Sequence, residues 1–211
     1  MRTNLRALSV ALVGIGCAAG LSQTGLAATR DAWRGLETEI AASYVQPVGQ
    51  VAELAVIKHN AEQGDARAQY LLGRKYENGV SGPENYAKAA RWYRRAAEQE
   101  FAPAQYSLGR LYAAGDGVRP DYAEALRWFR RAAALEYALA QNRIGVMYEK
   151  GLGVALDAVE AYKWYSLAAA ADRNVFALAN RARLARRLTS EQIADGERRA
   201  ELARTQFSLR P

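Results

Sequence analysis

The chain has 211 residues, half of them apolar and about a quarter charged, with only five prolines; that mixture excludes a long disordered chain and fits a folded body. Its formal charge of +7 is uneven: residues 28–173 carry 19 Lys/Arg against 18 Asp/Glu, whereas residues 174–211 carry eight arginines against four acids. A body so nearly neutral argues against nucleic acid as a partner.

The N-terminus reads as an export signal. Met1–Arg6 is basic, Ala7–Leu21 is apolar and small, and Ser22–Ala28 turns polar and then small, with cleavage expected after Ala27 or Ala28. The 15 residues of the apolar run fall short of the roughly 20 that a spanning helix needs. Gly14-Ile15-Gly16-Cys17 resembles a lipoprotein cleavage box, but glycine stands where that box has an aliphatic residue. A lipid anchor at Cys17 and an uncleaved anchor are therefore lesser alternatives to release into the periplasm or medium. Cys17 is the only cysteine, so residues 29–211 hold no disulfide framework and no thiol nucleophile.

Residues 29–65 read as a degenerate capping repeat. Trp33–Ser43 is its expected first helix, Pro47 breaks the chain, and Ala52–Asp65 is its second. Three blocks of equal length follow, 66–101, 102–137 and 138–173, and residues recur at a spacing of 36. Ala68, Ala104 and Ala140 match; so do Gln69, Gln105 and Gln141. Gly73, Gly109 and Gly145 match, as do Tyr76, Tyr112 and Tyr148, and then Gly79, Gly115 and Gly151. Later come Ala89, Ala125 and Ala161, then Trp92, Trp128 and Trp164, then paired alanines. A period of this length marks a repeat architecture.

Each block predicts two helices. Ala68, Leu72 and Tyr76 fall on one stripe, and the glycine at 79, 115 or 151 stops the first helix. Gly73 and its equivalents sit inside that helix, where glycine costs up to about 1 kcal/mol against alanine; a cost paid three times implies close approach of a neighbouring helix. Ala89, Trp92, Tyr93, Ala96 and Ala97 form the apolar stripe of the second helix. Asp121 with Glu124, and Asp157 with Glu160, read as capping boxes opening it, and Asn85 as a cap alone. Neither helix hides its stripe by itself, and a tryptophan carries roughly 150–250 Å² to bury, so the blocks must stack and share stability with their neighbours. Two closing helices are expected over Val175–Arg187 and Ser190–Arg204, the latter capped by Thr189 or Ser190.

The pattern A-x-A-Q-x-x-L-G-x-x-Y-x-x-G followed by A-x-x-W-[YF]-x-x-A-A resembles the Sel1-like repeat, a relative of the tetratricopeptide repeat. Gly115-Asp116-Gly117-Val118 and Gly151-Leu152-Gly153-Val154 match that family's inter-helix loop, and Gly79-Val80-Ser81-Gly82 departs from it. The Leu188–Gln192 stretch is similar to the ending of exported members. The resemblance implies an all-α, right-handed solenoid of helical hairpins whose first helices line the concave surface. A cysteine-rich branch of the family is associated with β-lactamase-like activity, and the paired cysteines that define it are absent.

Little in the sequence points to chemistry. His59 is the only histidine, which excludes a two-histidine metal site and leaves a surface residue on the capping helix. No phosphate loop joins a strand to a helix. Glu98, Glu100, Asp116 and Asp121 read as solvated turn and helix-end charges, and Glu77 and Glu149 likewise. No cofactor, metal or catalytic residue is expected. Binding is the better prospect: Tyr70 and Arg74 are one turn apart, Tyr106 and Arg110 repeat them, and Asn142 and Val146 break the pair. Tyrosine and arginine are enriched at interface hot spots, so Tyr70, Arg74, Tyr106, Arg110 and Asn142 are the candidate contacts for a protein or peptide partner, acidic or carboxylate-bearing. Arg181, Arg183, Arg186 and Arg187 read as a solvated cap face, with attraction to anionic lipid the alternative. The expected function is an exported interaction scaffold; an envelope enzyme or a modulator of one, and a cytosolic adaptor, are the alternatives.

Overall fold

The second helix of each block begins where a side chain takes over an unpaired backbone N–H. The computed structural model describes residues 52–79, 85–170 and 174–208; the expected signal segment, Cys17, the helix expected at Trp33–Ser43 and the loop at Val80–Gly82 lie outside them. Contacts divide the chain into Met1–Leu54 and Ala55–Pro211, and the architecture below is that of the second unit. Helix α1 covers 52–62. Then come α2 (Ala66–Glu77), α3 (Tyr86–Glu98), α4 (Ala102–Ala114), α5 (Tyr122–Ala134), α6 (Ala138–Lys150), α7 (Ala158–Ala170), α8 (Val175–Ala185) and α9 (Ser190–Ser208). Among the described residues there is no strand, and the fold is an all-α solenoid of paired helices.

The caps follow the sequence with one correction. Asp65, Asn85 and Asp121 each accept from the N–H three residues on, at 2.5, 3.0 and 3.0 Å, and Asp157 does so at 2.9 Å. The expected boxes at Asp121 and Asp157 are only half made. The cap's own N–H is already spent on a backbone carbonyl, Asp121 on Tyr112 at 2.9 Å and Asp157 on Tyr148 at 3.0 Å. Glu124 therefore turns to Arg127, and Glu160 to Lys163 and the Trp164 indole. Asn85 donates in the same way to Tyr76, so one bond recurs in all three hairpins and ties the second helix to the end of the first. A complete, reciprocal box does occur at Thr189 and Gln192, where it opens α9.

Glycine sets the approach of the two helices in a block. A Cβ added to Gly73, Gly109 or Gly145 would lie 2.7, 2.8 or 2.6 Å from the ring of Tyr93, Phe129 or Tyr165, inside any tolerable contact. Those three rings are almost completely buried, each laid flat against a backbone that carries no side chain. At the hairpin tip the second glycine of the loop does a similar service between blocks: a Cβ on Gly117 would meet the backbone of Tyr86 and Ala87, and one on Gly153 that of Tyr122.

Successive blocks are joined by buried glutamines and a divided core. Gln69, Gln105 and Gln141 each donate from Nε2 to the carbonyl of the residue eight before, Ala61, Ala97 and Ala133, at 3.1, 3.0 and 3.4 Å. Ala61 belongs to α1, which thus stands to the first block as α3 stands to the second. One apolar cluster unites α3 with α4 and Trp128, another unites α5 with α6, Trp164 and α9, and a third unites α7 with α8. Each of these tryptophans reaches the cluster of the preceding block. Trp92 departs from expectation: it is only half-buried, with the Arg95 guanidinium 4.6 Å from its ring centre. The fully enclosed position in each second helix belongs to the neighbouring Tyr93, Phe129 or Tyr165, which faces the glycine. Helix α9 runs a turn past the expected Arg204 because Ala203 and Phe207 still find the α5–α6 cluster to pack on.

A candidate interaction face on the first helices

Tyr70 on α2 and Tyr106 on α4 occupy equivalent places and have equivalent surroundings. The Tyr70 ring lies 5.7 Å from Tyr93 and 5.4 Å from Phe101; the Tyr106 ring lies 5.7 Å from Phe129 and 5.5 Å from Tyr137. All four pairs are tilted, the arrangement favoured by aromatic quadrupoles. Phe101 and Tyr137 close their blocks at the same 36-residue spacing, a signal that the sequence reading passed over. Burial raises the Tyr137 phenol above its ordinary value, and the phenols of Tyr70 and Tyr106 add to the effect. Tyr70, Phe101, Tyr106 and Tyr137 are all half-buried, with part of each ring left to solvent.

The cations expected beside these rings fare differently. Arg74 is exposed and makes no ion pair with a described residue. Arg110 is committed within the fold: its guanidinium pairs with the Glu77 carboxylate of the preceding block, which also accepts from the Tyr93 hydroxyl at 2.5 Å. Asn142 accepts from the Asn180 side chain of α8 at 3.0 Å, so the third rung is occupied by the closing helix. Of the five candidate residues, Tyr70 and Tyr106 are half-buried and Arg74 is exposed, whereas Arg110 and Asn142 are engaged by side chains of other helices.

Glu77 and Glu149 are not the solvated helix-end charges that the sequence suggests. Their side chains are 15% and 11% exposed, enclosed by residues from the next helices along. Arg183 donates to both oxygens of Glu149 at 2.5 and 2.6 Å, Tyr165 donates to it at 2.7 Å, and Arg187 approaches to 3.8 Å. The Arg183 bonds hold the Glu149 carboxyl below the usual carboxylate range, more than offsetting the opposing effect of burial. Burial pushes the Tyr93 and Tyr165 hydroxyls well above the ordinary phenol value. The arginine cluster of the C-terminal cap is correspondingly less free than expected, since two of its members serve Glu149, and Val175 and Phe176 add exposed apolar surface beside it.

Nothing in this arrangement places an acid and a base around a reactive group. His59 is exposed on α1, no group of His, Cys, Asp or Glu among the described residues is arranged to hold a metal, and no helix of the described residues is long and apolar enough to cross a membrane.

The Sel1 repeat profile matches residues 66–101, 102–137 and 138–172, half of the chain. The protein belongs to the Sel1-repeat family. Among solved structures, it is similar to a protective antigen present in uropathogenic Escherichia coli strains that displays an SLR fold, at 35% identity and a TM-score of 0.69, over 73% of this chain and 33% of that one. It is also similar to a Sel1 repeat protein from Oxalobacter formigenes, at 37% identity and a TM-score of 0.53, over 56% of this chain and 49% of that one. The chain thus spans a third to a half of the length of these relatives. No curated protein matches it. Sel1-repeat proteins generally mediate protein–protein interaction, and their fold is typically a non-catalytic scaffold.

Proposed function

We propose that this Sel1-repeat protein is an exported scaffold that holds a protein or peptide partner, acidic or carboxylate-bearing, against the face built by Tyr70, Phe101, Tyr106 and Tyr137. The observation that carries the reading is this strip of half-exposed aromatic rings, together with Arg74, which is exposed and makes no ion pair with a described residue. The rings are rigidly seated, so little side-chain freedom is lost when a partner covers them, and a guanidinium next to them supplies charge-assisted hydrogen bonds. Nucleic acid is not the proposed partner, and membrane contact is confined to the N-terminal segment or the basic C-terminal cap. The basic, apolar and small-residue order of Met1–Ala28 supports export to the periplasm or beyond.

Capture from an envelope extract tests the face. The wild type should retain a partner that the Tyr70→Ala/Arg74→Ala variant loses, and an unchanged set of captured proteins would overturn the assignment. Fractionation with N-terminal sequencing tests export: a cytosolic protein with Met1 intact would remove that part of the reading.

A further inference from the structure

The buried glutamines are alike in their donor and unlike in their acceptor. Gln69 gives its Nε2 to Ala61, and its Oε1 accepts from the Gln99 side chain at 2.8 Å. Gln105 gives its Nε2 to Ala97 at 3.0 Å, which fixes the orientation of the amide because a carbonyl can take only the NH₂. Its Oε1 is buried without a hydrogen-bond partner, in a residue that is 1% exposed. The cause lies in the sequence: 36 residues after Gln99 stands Leu135, which has no side-chain donor. Where Gln99 meets Gln69 in the first block, the second block has a cleft of about 280 Å³ lined by Glu100, Gln105, Arg130, Arg131, Ala134 and Leu135.

The two arginines of this cleft are held in place by neutral partners. Arg130 donates to the Tyr148 hydroxyl at 2.7 Å, and the Arg131 guanidinium sits 4.7 Å from the Trp128 ring centre. Neither arginine pairs with a carboxylate among the described residues, nor does Glu100 with a cation. The cleft therefore combines two oriented cations, one anion, a buried acceptor lacking a donor, and an apolar wall. A ligand that answers all of these has a carboxylate for the arginines, an ammonium for Glu100 and the Gln105 Oε1, and a small apolar side chain for Ala134 and Leu135. The buried oxygen is closed off, so contact with it needs a lining side chain to move, and Leu135, 43% exposed, lines the cleft. The volume lies just below the roughly 300–1,000 Å³ of sites for drug-sized molecules, which suits a single small metabolite.

We infer that the second repeat carries a binding site for a free, zwitterionic α-amino acid with an apolar side chain, its ammonium taking the place that the Gln99 amide takes in the first repeat. The site is distinct from the aromatic face and does not depend on a protein partner.

Thermal unfolding of the full chain with each of the twenty L-amino acids at millimolar concentration tests the inference. At least one apolar amino acid should raise the melting temperature saturably. Its N-acetyl and carboxamide derivatives should bind about tenfold more weakly or worse, since each leaves a charged partner unmet. Leu135→Gln rebuilds the first-repeat pair: it should melt no lower than the wild type and lose the response. Arg131→Ala should weaken binding by a similar factor. Absence of a saturable shift for every amino acid, equal binding of the N-acetyl derivative, or an undiminished response in Leu135→Gln would each overturn the proposal.

Discussion

Gly109 and Phe129 form a single packing unit: a Cβ on Gly109 would stand 2.8 Å from two atoms of the Phe129 ring and 3.1 Å from the Ala125 carbonyl oxygen. Alanine gains up to about 1 kcal/mol of helix propensity over glycine, yet here it forces the ring from its place in a closed core, and overpacking of this kind costs about 1–3 kcal/mol. Gly109→Ala should therefore destabilise in urea unfolding. Adding Phe129→Leu, which shortens the opposing side chain, should cost clearly less in that background than in the wild type. Equal costs in the two backgrounds would show that the ring is not what excludes the methyl.

The first and third blocks place Tyr93 and Tyr165 opposite Glu77 and Glu149, whereas the second places Phe129 opposite Ala113. Phe129→Tyr puts a hydroxyl where no carboxylate waits, so a loss of about 1–3 kcal/mol is expected for the unmet group. Ala113→Glu in the same chain should recover part of that loss. A double variant no more stable than Phe129→Tyr alone would contradict the pairing.

Glu149 couples stability to acid. Its folded pKa is depressed below the ordinary value of 4.5, so the proton prefers the unfolded chain. The contribution is complete above about pH 4.5, where the unfolded carboxyl is ionised, and drains away as the pH falls through the lower folded value. Arg183 is half-exposed, so screening keeps the contribution to about 1–2 kcal/mol. Glu149→Gln should lower stability at pH 7 and flatten its decline below pH 4.5. A variant with the acid profile of the wild type would rule this carboxyl out.

Glu136 has a φ of 57° at the turn between α5 and α6. A side chain in the left-handed region costs roughly 1–2 kcal/mol, partly offset by the extra freedom that glycine brings to the unfolded chain. Glu136→Gly should raise the unfolding free energy by about 0.5–1 kcal/mol, and a measured loss would show that the glutamate side chain makes a contact that outweighs its strain.

The repeating hairpins were legible in the sequence because their causes are local or periodic. Apolar stripes at i, i+3 and i+4 mark the helices, caps and glycines punctuate them, and a 36-residue register requires that whatever buries one block bury the next. Even the close approach at Gly73, Gly109 and Gly145 could be read from a cost repeated in triplicate, though not which ring lay beneath. The proposed face was only half legible. Tyr70, Arg74 and Tyr106 were visible as a tandem pair of motifs, and Phe101 and Tyr137 were hidden by their place at the block ends.

What only the tertiary structure decided was which polar groups are spoken for. Arg110 is taken by Glu77 across 33 residues, Asn142 by Asn180 across 38, and Glu149 by Arg183 across 34; Gln105 is left short because Leu135 stands in for a glutamine. Periodicity assigns the same address to equivalent residues in every block. Whether a charge there is free or spent depends on the side chain that the next helix brings over it, and that neighbour is set by the stacking of whole hairpins.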